Sequence, residues 1–157
     1  RTRLAFAKRQ GAAVHKVAKV GLKASAAYGQ RAVGMAPRLR QRLRKQIGAA
    51  QRGSHKGRSL TLRLAVADAE VMHDARAGPI EAWASAVWER RGSALLDKAW
   101  TRQSARLCQR AAWDDVQGPA ATCLLMCRET GWAWPAWHAF VSKEGLLIDM
   151  REVCPQG

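Results

Sequence analysis

Along residues 37–50 the large apolar side chains fall on every fourth position, at Leu39, Leu43 and Ile47. Arg38, Arg40, Arg42, Arg44 and Lys45 take up most of the remaining circumference. This spacing predicts an amphipathic helix that docks one narrow stripe and offers cations elsewhere, with Pro37 suited to its first position. Upstream, Val14, Ala18 and Leu22 recur at the same interval, with Lys16, Lys19 and Lys23 opposite them. A weaker basic helix over 3–27 is expected there, interrupted by Gly11 and Gly21 and closed at Tyr28-Gly29.

Beyond a Gly-punctuated polar loop at 51–59, Leu60, Leu62, Leu64 and Val66 alternate as in a strand, whereas Leu60, Leu64, Ala67 and Val71 share a helical face. The helical pattern continues further, and Ser59 can cap it, so a helix over 59–74 is expected. Gly78-Pro79 is read as the start of the next helix, whose Ile80, Trp83 and Val87 share a face. Gly92-Ser93 breaks that run. Ser93 is expected to cap a helix to about Trp113, with Leu96, Trp100 and Leu107 on one side. Gly118-Pro119 opens a short apolar helix over 120–130, closed by Gly131. The stretch 132–137, with three Trp around Pro135, reads as a rigid aromatic loop. The runs 138–141 and 146–150 flank Lys143-Glu144-Gly145 as a β-hairpin. The fold class expected is therefore mainly α, a bundle of about five to six helices with a small C-terminal β-hairpin.

Charge divides the chain more sharply than hydropathy does. Residues 1–67 hold 17 Lys and Arg and no Asp or Glu; residues 68–157 hold 10 basic and 12 acidic residues. The net charge of +15 thus lies wholly in the first part. All seven Trp fall between 83 and 137. Two regions follow: a basic helical segment over 1–67, as a nucleic-acid contact or an arm, and a Trp-rich helical core with its hairpin over 68–157. So basic a segment repels itself unless a polyanion neutralises it, and nucleic acid is the expected partner. The contacts expected are Arg38, Arg40, Arg42, Arg44, Lys45, Arg52, Lys56 and Arg58. No run approaches a membrane span of about 20 apolar residues. The chain opens without a Met and reads as processed or excised from something longer. A basic, acid-free N-terminus also has the composition of an organelle transit peptide. Without a secretory signal, Cys108, Cys123, Cys127 and Cys154 are read as reduced thiols of an intracellular protein, nuclear or organellar.

The remaining motifs are weighed against plainer readings. Cys123 and Cys127, one helical turn apart, with His138 and Cys154 downstream, have the residue types of a zinc site. Their apolar surroundings favour core thiols instead. Glu70 and His73 have the spacing of a di-iron helix, but one such motif without further carboxylates makes an exposed edge. Asp114-Asp115 is read as a turn rather than a two-metal site. The Trp are assigned to packing rather than to base stacking. No cofactor and no small-molecule substrate are expected.

The segment from Leu22 through Tyr28-Gly29 to Gly34, followed by the Leu39, Leu43, Ile47, Gly48 helix, resembles the region just after the palm in reverse transcriptases of non-LTR (LINE-type) retrotransposons. There a Tyr-Gly and a short linker lead into a basic helix of the thumb or the connecting region. The likeness covers roughly residues 10–65. The paired palm aspartates of that family have no counterpart here. The resemblance therefore implies a thumb or linker segment that binds nucleic acid and is not itself an enzyme. The rival expectation is a structural subunit with a basic arm in a large ribonucleoprotein or organellar assembly.

Overall fold

The computed structural model describes residues 29–50, 57, 59–66, 72–109 and 112–155, with single positions at 16 and 21. The expected helix over 3–27 and most of the polar loop at 51–58 lie outside the described residues. The described elements are helices α1 (Gln30–Val33), α2 (Pro37–Ala50), α3 (Leu60–Val66), α4 (Met72–Glu89), α5 (Ala94–Gln109) and α6 (Gly118–Thr130). A 3₁₀ turn, Trp113–Asp115, precedes α6, and strands β1 (Ala133–Ala136), β2 (Ala139–Val141) and β3 (Leu147–Asp149) follow it. The protein is mainly helical with a small three-stranded antiparallel sheet at its C-terminal end.

The chain forms two compact units. One holds residues 1–28 and 35–75, the other 29–34 and 76–157. In the first, α2 packs on α3 through Ile47 and Leu64, both fully buried, with Leu43 and Leu60 beside them. Gly48 permits this approach, because a Cβ there would collide with the Leu60 side chain. Ser59 stands where a helix cap was expected. Its carbonyl accepts from Arg63 N at 3.1 Å and its hydroxyl from Leu62 N at 3.5 Å. The Arg63 guanidinium donates to the Gly48 carbonyl, tying α3 back to the last turns of α2.

The second unit is built around α6, in which every residue from Ala120 to Cys127 is buried. Such a helix is apolar on all sides and needs neighbours on all sides. Gly131, at φ 77°, ends it with a Schellman pair: Trp132 N donates to Cys127 O at 2.8 Å and Gly131 N to Arg128 O at 3.3 Å. The one proton of Thr122 Oγ1 is shared between Gly118 O at 3.0 Å, within α6, and Ala32 O at 3.1 Å, a contact that links α1 to α6. Gly34, at φ 71°, lies so close that a Cβ would stand 2.5 Å from Thr122 Cγ2. Trp83 of α4 and Trp100 of α5 stack with ring centroids 5.0 Å apart, and Trp100 meets Phe140 of β2 edge-on at 5.6 Å. Trp83 Nε1 donates to Trp137 O at 2.8 Å, so its buried indole keeps a hydrogen-bond partner.

The hairpin has the expected place. Ala139 pairs with Asp149, Phe140 with Ile148 and Val141 with Leu147. Gly145 at φ 85° and the bond from Gly145 N to Ser142 O, 2.9 Å, close its turn. Three expectations are corrected. Gly78-Pro79 does not begin a helix but lies inside α4, which starts at Met72. Pro79, Trp83 and Val87 form one buried line four residues apart, and their burial outweighs the missing proline N–H. The helix after Ser93 is described to Gln109, residues 110–111 lie outside the described residues, and Trp113 belongs to the 3₁₀ turn and not to that helix. The stretch expected as an aromatic loop supplies strand β1. Pro135 is tolerated there because β1 is an edge strand, and its pairing with β2 is irregular between Ala133 and Ala136.

Candidate nucleic-acid interface

Helix α2 carries five cations and no acidic residue in 14 positions. The stripe that it buries keeps the expected Leu43 and Ile47 but not Leu39. Leu39 is 56% exposed, whereas Arg40 is 1% exposed and lies in line with Leu43, Ile47 and Ala50. Those four recur at intervals of three, four and three residues, the spacing of a single helical face. Arg40, expected to contact phosphate, therefore sits on the packed side of the helix.

Opposite that side run Arg38, Arg42 and Lys45, all exposed. Their spacing of four and three residues places them in one row over about 10 Å of helix axis. They border a shallow depression of about 480 Å³, whose other walls are Pro37 and Gln41. Arg44 lies to one side, with its guanidinium donating to Thr61 Oγ1 of α3 at 2.7 Å. Arg52, Lys56 and Arg58 lie outside the described residues. Of the eight expected contacts, three thus share one exposed face, Arg44 is held by α3 and Arg40 is buried.

Of the other motifs, Cys123, Cys127 and six of the seven Trp lie in packed surroundings. Cys123 and Cys127 are buried in the apolar centre of the second unit, while Cys108 and Cys154 are exposed. Burial pushes the Cys123 thiol well above its usual pKa, and its contact with Cys127 adds to the shift. A thiol so buried is inert compared with an exposed one. Among the described residues no three His, Cys, Asp or Glu side chains gather in a metal-binding cluster. His73 is exposed beside Asp74, and Glu70 lies outside the described residues. Asp115 stands 3.9 Å from Arg106, an ordinary surface pair. Trp83 and Trp100 are buried, and Trp113, Trp132, Trp134 and Trp137 pack against the same core.

One charged group in the sheet has no counterpart among the residues expected to be functional. Asp149 receives a bidentate guanidinium from Arg151, with its shortest bond 2.6 Å, and His138 Nε2 lies 4.0 Å away. The Arg151 hydrogen bonds hold the Asp149 carboxyl at a pKa of about 2. The two residues are only two positions apart, at the end of a strand, which is the one signal the sequence offers for this pair.

Among the described residues no helix is long and apolar enough to cross a membrane. No protein-family model, curated protein or solved structure matches the chain.

Proposed function

We propose that the protein binds nucleic acid through phosphate contacts, as a non-catalytic segment similar to the thumb and linker of a non-LTR retroelement protein. One observation carries this reading. The row Arg38, Arg42 and Lys45 is exposed on the side of α2 opposite its packed stripe, in a stretch of 67 residues without a single carboxylate. Solvated protein faces normally mix both signs of charge. Phosphate neutralisation relieves the mutual repulsion of such a row and releases counterions.

Reversing Arg38, Arg42 and Lys45 together to Glu leaves Leu43, Ile47 and Arg40 untouched, so the packing of α2 survives. Affinity for nucleic acid is expected to fall at every sequence alike, because phosphate contacts carry no base information. On duplex, the slope of log K against log[salt] is expected to flatten by about 0.9 for each phosphate that is no longer neutralised. The triple reversal of Arg90, Lys98 and Arg102, exposed in the charge-balanced unit, is the control. An equal fall in affinity with both triples, or a salt plot already flat for the unaltered chain, overturns the reading.

A further inference from the structure

A polar contact between α2 and α3 is left unused by the proposed function. The Arg44 guanidinium of α2 donates to the Thr61 hydroxyl of α3 at 2.7 Å. Thr61 is exposed. The neighbouring hydroxyl, Ser59 Oγ, faces the Leu62 amide at 3.5 Å instead. In the sequence Arg58 stands three residues before Thr61 and Lys56 five before it, and no Asp or Glu occurs before Asp68. Cations on one side of an acceptor hydroxyl are a charge pattern by which kinases choose their substrates. Helix α3 has only seven residues, well short of the about 12 at which an isolated helix becomes marginally stable. Its order rests on Leu64 and Leu60 packing against α2. The first turn, which carries Thr61, therefore opens at low cost into the groove of a modifying enzyme.

We propose that Thr61 is a phosphorylation site whose phosphate is received by Arg44, and that the modification weakens nucleic-acid binding by this unit; the second half rests on the proposed nucleic-acid binding. In the transfer, Thr61 Oγ1 forms a bond to the γ-phosphorus of a nucleoside triphosphate held by a protein kinase. The bond from that phosphorus to the β,γ-bridging oxygen breaks, the nucleoside diphosphate leaves, and the hydroxyl proton passes to the base of the kinase. The product carries about −1.5 to −2 charges at pH 7 and three acceptor oxygens. Those oxygens lie one bond beyond Oγ1, where the Arg44 guanidinium already stands, and a guanidinium pairs with phosphate through parallel N–H bonds. A carboxylate beside the new dianion would repel it, and the first 67 residues hold none. The added charge sits in the unit that displays Arg38, Arg42 and Lys45, and repels a polyanion that approaches them.

The test incubates the full chain with ATP and a serine/threonine kinase selective for basic sequences, and maps the phosphate by peptide mass spectrometry. The expected result is one dominant site at Thr61, lost in Thr61→Val. Incorporation at Ser59 or elsewhere without Thr61, or no incorporation, overturns the assignment. The phosphorus resonance of the modified chain is expected to titrate about half a unit lower than in modified Arg44→Gln, a small shift because the pair is exposed and screened. Identical titrations overturn the pairing with Arg44. At physiological salt, phosphorylation is expected to lower duplex affinity about three- to tenfold. Unmodified Thr61→Val is expected to bind as the unaltered chain does. No fall on phosphorylation, in a chain that binds when unmodified, overturns the regulation and leaves the nucleic-acid reading standing. A chain that binds no duplex in either form overturns that reading and the regulation with it, while mapping and titration still decide the Thr61 site.

Discussion

Helices α2 and α6 have nearly the same length, 14 and 13 residues, and opposite surroundings. Among the described residues, α2 buries Arg40, Ile47, Gly48 and Ala50; α6 buries eight in succession. The first has a free circumference on which charge can be displayed. The second commits its whole central run, Ala120 to Cys127, to packing. The same difference separates the two units. The described core of the first rests on Ile47 and Leu64, with Leu43 and Leu60 alongside. That of the second joins thirteen buried residues from its helices and the sheet. Among the described residues, buried apolar side chains are concentrated in one unit and basic charge in the other, so a substitution in either is expected to be read by a different instrument.

The largest expected effect is the loss of a central ring. Trp100→Ala removes the indole that touches both Trp83 and Phe140, and is expected to cost about 3–5 kcal/mol. Near-ultraviolet circular dichroism follows it, since all seven Trp lie in the second unit. Ile47→Ala is expected to cost about 2–5 kcal/mol locally. It should leave the denaturant midpoint of the Trp signal in place. An equal shift of that midpoint by both variants would mean that the two cores unfold together.

Next come two glycines. Gly34→Ala forces a side chain into left-handed backbone and against Thr122 and Trp113, and is expected to cost about 2–4 kcal/mol. Gly48→Ala meets only the end of the Leu60 side chain, which can turn aside, and Ala is the better helix former by about 1 kcal/mol. Its net effect is expected to stay within about 1 kcal/mol of zero. Thermal unfolding of the two variants checks the ranking; an equal penalty would show that α2 and α3 are packed as tightly as α1 and α6.

The smallest effect concerns acid. The Asp149 carboxyl is held at about 2, below its ordinary 3.8, chiefly by the Arg151 side chain. A depressed carboxyl stabilises the fold above its unfolded pKa and ceases to do so as pH falls through the folded one. This contribution is therefore complete above about pH 4 and disappears toward pH 2. Arg151→Ala is expected to return the Asp149 titration, followed by carboxyl carbon resonances, to the ordinary range. Helices α2 and α3 carry no acidic residue, so that pair of helices has no carboxylate to protonate in this window. A change at Ile47 or Leu64 coincident with the Asp149 titration would break the comparison.

Where the sequence pattern is punctuated, it reads well. Gly118-Pro119 and Gly131 bracket α6, Ser59 starts α3, and Lys143-Glu144-Gly145 turns the hairpin. It reads poorly where tertiary packing overrides a local rule. Pro79 looks like a helix start because proline is poor inside a helix, yet the buried line Pro79, Trp83, Val87 holds it there. Arg40 looks like a surface cation because it is an arginine; its position three and seven residues before Leu43 and Ile47 is the signal that places it inside.

The bond from Trp83 Nε1 to Trp137 O spans 54 residues. Most of α4, all of α5 and all of α6 come before its second partner, and Phe140, which completes the contact with Trp100, comes later still. At about 5–20 residues per second, a ribosome takes roughly 2–8 s to travel from Trp100 to Phe140. During that interval the rings destined for the centre have no sheet to cover them. Synthesis of this chain therefore leaves the indoles of Trp83 and Trp100 without their sheet partner until the strands are added, so the second unit closes its centre late.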